Sequence, residues 1–394
     1  MFSRIALTLA SFIMALAFVP VASGADDLPP IRIGIVYSYT GASLSAGPAL
    51  DSSIAAWLAM HHQLVGGRKV EIIKRDDTGA APDVATREAQ ELVVADHVDF
   101  LMGGLFTPSA IAVERVSTAA KIPFFIVNAA TNGILANAPY TFRFSATIQQ
   151  NTAPLAQWAA KQGYKSVFNL VSDYAPGIES DKVFANSYAA GGGKVLGDLH
   201  VPVTANDFTA YVQRIKDAKP EVNFTFVVSG TPAIAYFKAT KLAQFDVAGI
   251  KVLTNAATVD DLDLPAMGDS TLGVISCAQY SWTHKSRLND AYLAAFHRTA
   301  TGGVVNPDFM AESGFDIMAA IDRVVAAQHG ALDLDKTLTT LKGLQLDSPR
   351  GPIQVDPNTR ELIQNVYIRR VEKVNGMLAN VEFETIPHIP GDYP

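Results

Sequence analysis

From residue 31 onward, short unbroken apolar runs alternate with longer stretches whose apolar residues recur every three or four positions. Short apolar runs read as strands buried on both faces, and the longer periodic stretches read as helices. This pattern predicts strands over 31–37, 70–73, 100–102 and 124–127. Helices are predicted over 49–64, with Gly66-Gly67 as the stop, then over 82–95 and 108–121. The alternation then restarts. Helices over 149–162, 177–190, 207–218 and 232–243 interleave with strands over 166–171, 194–201, 224–228 and 250–253. After Tyr280 come helical stretches over 286–300, 308–328 and 334–341, and the chain ends in β structure at 353–355 and 365–368. Strands alternating with helices predict an α/β protein of two lobes, each a mostly parallel sheet flanked by helices.

The first residues break this pattern. Arg4 precedes an apolar stretch over 5–21, then Ala22-Ser23-Gly24-Ala25 and two acids, Asp26-Asp27. A basic start, an apolar run and small residues before a polar start describe a secretory signal peptide over 1–24, removed on export. An uncleaved signal anchor is the alternative. No later segment reaches the roughly 18 apolar residues that a spanning helix needs. The 394 residues are 49% hydrophobic and 18% charged, a composition that excludes a disordered or coiled-coil chain. Lys and Arg total 31 against 38 Asp and Glu, so no basic surface for nucleic acid is expected. A single cysteine, Cys277, excludes an internal disulfide and a cysteine-based metal cage.

Open α/β sheets bind ligands beyond the carboxyl ends of their strands, which directs attention to the strand-to-helix turns. The first turn, 38–47, holds neither G-x-G-x-x-G nor a P-loop, and no G-x-S-x-G or H-E-x-x-H occurs anywhere. His61-His62 are adjacent and cannot share one helical face. The pairs Asp76-Asp77 and Asp260-Asp261 read as turn formers before they read as cation ligands. No catalytic constellation, metal site or cofactor is expected, and binding is favoured over catalysis. The rival is an exported α/β enzyme with an unrecognised constellation.

Binding groups are better represented. The third turn reads Gly103-Gly104-Leu105-Phe106-Thr107-Pro108-Ser109-Ala110, with Thr107 placed to cap a helix that Pro108 opens. A helix N-terminus is a ready anion site. The fourth turn, Asn128-Ala129-Ala130-Thr131-Asn132, adds small residues and polar donors. The second half contributes Ser172-Asp173-Tyr174, Ser229-Gly230-Thr231 and Asn255-Ala256-Ala257 at strand ends. Tyr174 and Tyr280 are candidate flat walls for a ring-bearing ligand. The candidate ligand-binding residues are Phe106, Thr107, Ser109, Ala130, Thr131, Tyr174, Ser229, Asn255 and Tyr280.

Several of these pieces occur in a familiar order: Ile31-Arg32-Ile33-Gly34-Ile35-Val36 with Thr40-Gly41, Gly66-Gly67, Asp76-Asp77, Gly103-Gly104-Leu105, Ala130-Thr131-Asn132 and Ser172-Asp173-Tyr174. In that order and spacing the chain resembles the type I periplasmic solute-binding proteins, the leucine/isoleucine/valine-binding group. The resemblance implies lobes formed by 25–146 with 282–347 and by 147–281 with 348–394. Three crossing segments near 145, 281 and 347 would join them. It further implies a periplasmic monomer that closes on a small carboxylate and delivers it to an ABC permease in the membrane, without a cofactor. An exported ligand-sensing module is an alternative with the same fold.

The family's carboxylate contacts match Thr107, Ala130 and Thr131. Its amino-acid binders carry an acid for the ligand ammonium at the position of Ala256, so this chain departs there, with Asp260 or Asp261 as possible substitutes. The positions bridged by a disulfide in the branched-chain binder fall near Gly79 and Phe106. The phrases Asp173-Tyr174-Ala175-Pro176-Gly177, Asp207-Phe208, Ser348-Pro349-Arg350-Gly351-Pro352 and Gln364-Asn365-Val366-Tyr367-Ile368 resemble a subgroup that takes up aromatic carboxylates. An aromatic acid is therefore favoured, with a branched-chain amino acid as the alternative. Thr107 and the 130–131 backbone would hold the carboxylate, and Phe106, Tyr174 and Tyr280 would enclose the ring.

Overall fold

The computed structural model describes residues 28–41 and 44–393; the signal peptide read over 1–24 lies outside them. The first lobe begins with β1 (Ile31–Tyr37), α1 (Ala46–Met60), β2 (Leu64–Val65), β3 (Arg68–Asp76) and α2 (Pro82–Val94). It continues with β4 (Phe100–Gly103), α3 (Thr107–Ala120), β5 (Phe124–Ile126) and β6 (Thr141–Arg143). These strands form a six-stranded sheet in the order β2-β3-β1-β4-β5-β6, parallel except for the β2–β3 hairpin. Both faces are covered: Ile33, Ile35, Met102 and Phe125 pack on one side, Val36, Leu101 and Phe124 on the other. That two-sided burial is why these strands are continuous apolar runs.

The helix expected over 49–64 stops earlier, at Met60. His62 and Gln63 turn into the left-handed region, and Leu64-Val65 pairs back on Arg68-Lys69. Gly66-Gly67 is thus not a helix stop. It is the two-residue turn of a small hairpin, with positive φ at both positions as such a turn requires.

The second lobe runs α4 (Ile148–Lys161), β7 (Ser166–Ser172), α5 (Ala175–Ala190), β8 (Lys194–Val201), α6 (Thr209–Ala218) and β9 (Val222–Phe226). Then follow α7 (Thr231–Leu242), β10 (Lys251–Asn255), the short α8 (Leu264–Met267) and β11 (Ile275–Ala278). The chain next returns to the first lobe as α9 (Arg287–Thr299), α10 (Phe309–Ala326) and α11 (Leu334–Leu341). There Tyr292, Phe296, Phe315 and Ile321 join the core of Ile33 and Trp57. It crosses back through β12 (Gln345–Ser348), which joins the second sheet, and ends in the second lobe as β13 (Gly351–Val355), β14 (Leu362–Val374) and β15 (Met377–Ile389).

The second sheet has nine strands in the order β12-β13-β14-β11-β10-β9-β7-β8, with β15 paired to β14. The portion from β11 to β8 is parallel, and the portion from β14 onward is antiparallel. Among the described residues no helix is long and apolar enough to cross a membrane.

Arg350 pins the region where the chain passes between lobes. Its side chain is buried, with Nε 2.9 Å and Nη2 2.6 Å from Asp316 Oδ2 and Nε 3.1 Å from Glu312 Oε2. Nη2 also donates to Phe144 O at 2.7 Å and Nη1 to Gln364 Oε1 at 3.1 Å. One guanidinium therefore holds α10 of the first lobe, the first crossing at Phe144, the third crossing and β14.

Candidate ligand-binding site

A cavity of about 60 Å³ lies between the lobes, lined from one side by Phe106, Thr107, Ala130 and Met310 and from the other by Asn151, Tyr174, Ala256 and Gln279. Such a space holds a few waters. The strand ends of both sheets deliver these residues. Gly103 at the end of β4 has φ +145°, and a Cβ there would overlap Val36 O, so the turn into α3 requires glycine. Asn128 Nδ2 donates to Leu105 O at 2.8 Å and Ala129 N to Gly104 O at 2.9 Å, which locks the third and fourth turns together.

Four helices begin at the cavity wall: α3 and α10 from the first lobe, α4 and α5 from the second. Thr147 caps α4 by accepting from Gln150 N, and Asp308 caps α10 by accepting from Ala311 N. In contrast α3 and α5 start from extended Phe106 and Tyr174 with no side-chain cap, each with a proline in its first turn. The backbone N–H groups of Thr107 and Ala130 have no acceptor among the described residues. Helix starts carry a partial positive charge and unsatisfied N–H groups. Around them the wall contains no Asp, Glu, Lys, Arg or His. The site is thus an uncharged space biased toward an anion, with nothing to neutralise a cation. Its apolar side includes Phe106, Phe309 and the stacked rings of Tyr174 and Phe226, 6.0 Å apart at 24°. Burial pushes the Tyr174 hydroxyl upward, so it stays protonated.

Six of the nine residues expected from sequence reach the wall: Phe106, Thr107, Ala130, Tyr174, Ser229 and Asn255. Thr107 is the first helical residue and not the cap; its hydroxyl lies 3.1 Å from that of Thr131. Thr131 stands behind the wall, and its carbonyl accepts from Arg143 Nη2 at 2.8 Å. Ser109 is also behind it, donating to Gly79 O at 2.9 Å. Tyr280 does not wall the cavity. It is fully buried in the first-lobe core, donates to Asn289 Oδ1 at 2.9 Å and packs 6.4 Å from Tyr292. The preceding residue, Gln279, faces the cavity in its place, because consecutive extended residues point to opposite sides.

Gln279 and Asn151 are the residues that sequence reasoning missed. Both are buried on the wall; neither amide atom of Gln279 has a hydrogen-bond partner, and Asn151 Oδ1 has none either. Nothing in the sequence marks them, since each stands in no motif and the strand before Gln279 is short. Ala256 lies on the wall as well. Neither nearby acid compensates for it. Asp260 accepts from Leu262 N at 2.9 Å, and Asp261 accepts from Asn380 N at 3.2 Å and sits 3.9 Å from Arg369. Asp76 and Asp77 likewise bind the turns around them, through Tyr39 N, Thr78 N, Ser38 Oγ and Gly79 N.

The cleft is closed. Asn132 N of the first lobe lies 3.2 Å from both carboxylate oxygens of Glu179 on α5. Asp260 after β10 and Asp308 at the start of α10 are both buried at the lobe boundary, and Asp308 Oδ2 has no hydrogen-bond partner among the described residues. Burial and mutual repulsion push Asp260 well above the carboxylate range, and burial pushes Asp308 to about 7.

Residues 30–376 match the family of periplasmic binding proteins. The chain is 33% identical over 383 residues to a Leu/Ile/Val-binding protein homolog 6 of Brucella melitensis, covering 97% of this chain and 96% of that one. It is similar to an ABC-transporter solute-binding protein of Rhodopseudomonas palustris BisB5 solved with 3,4-dihydroxybenzoic acid. There the identity is 37%, the TM-score 0.87, and the coverage 92% of this chain and 99% of that one. It is also similar to a solute-binding protein of Rhodopseudomonas palustris HaA2 solved with p-hydroxybenzoic acid, at 35% identity, TM-score 0.88 and the same coverages. With two α/β lobes closed on an uncharged cleft and the family pattern running through nearly all of it, the chain belongs to the periplasmic binding protein family, as a non-enzymatic solute-binding protein of the ABC-transporter type.

Proposed function

We propose that this protein captures an aromatic carboxylate in the cleft and presents it, enclosed by both lobes, to a membrane permease. The observation that carries this reading is a wall without charged side chains, on which two uncapped helix starts face an aromatic surface. The carboxylate sits at the first turn of α3, against the Thr107 hydroxyl and the Ala130 N–H, with Thr131 holding Thr107 in place. The ring lies between Phe106 and the Tyr174–Phe226 stack. Residues 25–146 with 282–347 and residues 147–281 with 348–394 move as the two lobes, and ligand favours closure because it touches both. The aromatic acids bound by the two Rhodopseudomonas proteins support this ligand class. The protein acts as a monomer in the periplasm, the compartment such a permease faces; the leader-like sequence over 1–24 supports this reading.

The name of the Brucella relative favours a second reading, a branched-chain amino acid. Against it stands Ala256: an ammonium buried there without a partner would cost about 3–5 kcal/mol, two to four decades of affinity. Thermal unfolding with a panel of acids separates the two. A ligand at 100 times its Kd adds about 2.7 kcal/mol. Benzoate-type acids should raise Tm by a few degrees while leucine and valine leave it unmoved; the reverse pattern would overturn the reading.

A further inference from the structure

We infer that Gln279 and Asn151 form a polar subsite in the second lobe that takes a hydroxyl group on the ligand's ring, away from its carboxylate. This rests on the aromatic-carboxylate reading above. Gln279 is 1% exposed and Asn151 5%, both line the cavity, and three of their amide atoms have no partner. Buried polar atoms in folded proteins are almost always hydrogen-bonded, so such a cluster on a cavity wall marks where a ligand group belongs.

Position and chemistry narrow that group. Asn255 pairs with Cys277 between β10 and β11, which sets Gln279 beside the Ala256-Ala257 turn, on the lobe opposite Thr107. Asn151 reaches the same side from α4, whose Ile148 and Leu155 pack with Ile275 and Cys277 of β11. A carboxylate held at α3 therefore directs the far edge of its ring toward these amides. A second carboxylate would meet no cation there, and an ammonium would meet no acid. A primary amide both donates and accepts, which matches a phenolic hydroxyl that does the same. Benzoate, lacking the hydroxyl, would leave the amides unpaired, and a site built for a hydroxyl discriminates strongly against the ligand that lacks it.

The test is calorimetric titration of the full mature protein with benzoate and with 4-hydroxybenzoate, repeated on Gln279→Leu and Asn151→Ala. The wild type should bind 4-hydroxybenzoate at least 10-fold more tightly than benzoate. Each variant should lose most of that preference, with 4-hydroxybenzoate bound more weakly than by the wild type and, in Gln279→Leu, benzoate bound more tightly because the unpaired amide is gone. Because Gln279→Leu removes unpartnered polar atoms, its ligand-free Tm should be equal to or above that of the wild type, which checks folding independently. Equal binding of the two acids by the wild type, or a preference that survives both substitutions, would overturn the subsite and leave the aromatic-carboxylate reading standing. Failure of both acids to bind, with leucine binding instead, would overturn that reading and the subsite with it.

Discussion

At the scale of single residues, the site is built from neutral groups, and its selectivity follows from what each can pair with. The Thr107 hydroxyl, 3.1 Å from that of Thr131, is oriented before any ligand arrives. A hydrogen bond to a charged group contributes about 1.5–3 kcal/mol. Thr107→Ala should therefore weaken binding of an aromatic carboxylate by roughly 10- to 100-fold, whereas Thr107→Ser, which keeps the hydroxyl, should lose far less. Equal affinity in the alanine variant, measured by titration, would remove Thr107 from the carboxylate contacts. The legible residues were those in strand-to-helix turns, because glycine, proline and threonine signal such turns directly. Tyr280 was misplaced and Gln279 overlooked for one reason. They are neighbours on an irregular crossing segment, and only the register of β11 on β10 decides which of them faces the cleft.

At the scale of elements, the parallel strands were legible because burial on both faces makes them continuous apolar runs. The antiparallel part of the second sheet was less so. In β15 the exposed and buried positions are mixed, and the run has no uniform apolar character. Asn375-Gly376, with positive φ at both residues, turns β14 into β15, a hairpin that the predicted elements, ending at 365–368, do not include. The crossing segments depend on a different device, the Arg350 side chain with Glu312 and Asp316. The phrase Ser348-Pro349-Arg350-Gly351-Pro352 is therefore structural: Ser348 Oγ lies within hydrogen-bond distance of both acids, at 2.8 and 2.9 Å. Removing one partner of a buried ion pair leaves uncompensated charge and costs about 3–5 kcal/mol. Arg350→Met should lower stability by about that much in chemical denaturation, although Arg350 touches no ligand. A loss below about 1 kcal/mol would show that the guanidinium is not what ties the crossings together.

At the scale of the whole molecule, the closed form buries groups that titrate at the lobe boundary. Asp260 and Asp308, from opposite lobes, are both buried at the boundary with their pKa values raised, Asp308 to about 7. Raised carboxyl pKa values mean that the closed state holds a proton which water-exposed carboxyls, near 3.9, have already released. The stabilisation is fully present below about pH 4 and is lost as pH rises through about 7. Ligand affinity, which is tied to closure, should therefore fall between pH 5 and pH 8. Asp308→Asn keeps the helix cap and removes the charge, and should flatten that dependence. A wild-type affinity independent of pH over that range would dissociate the pair from closure. The central claim concerns what the closed cleft contains, and a crystal structure grown with saturating 4-hydroxybenzoate tests it most directly. The account predicts the carboxylate at the first turn of α3 within hydrogen-bond distance of Thr107, with the ring against Tyr174. An empty cleft at saturating acid, or a ligand carboxylate turned toward Ala256 and away from Thr107, would contradict it.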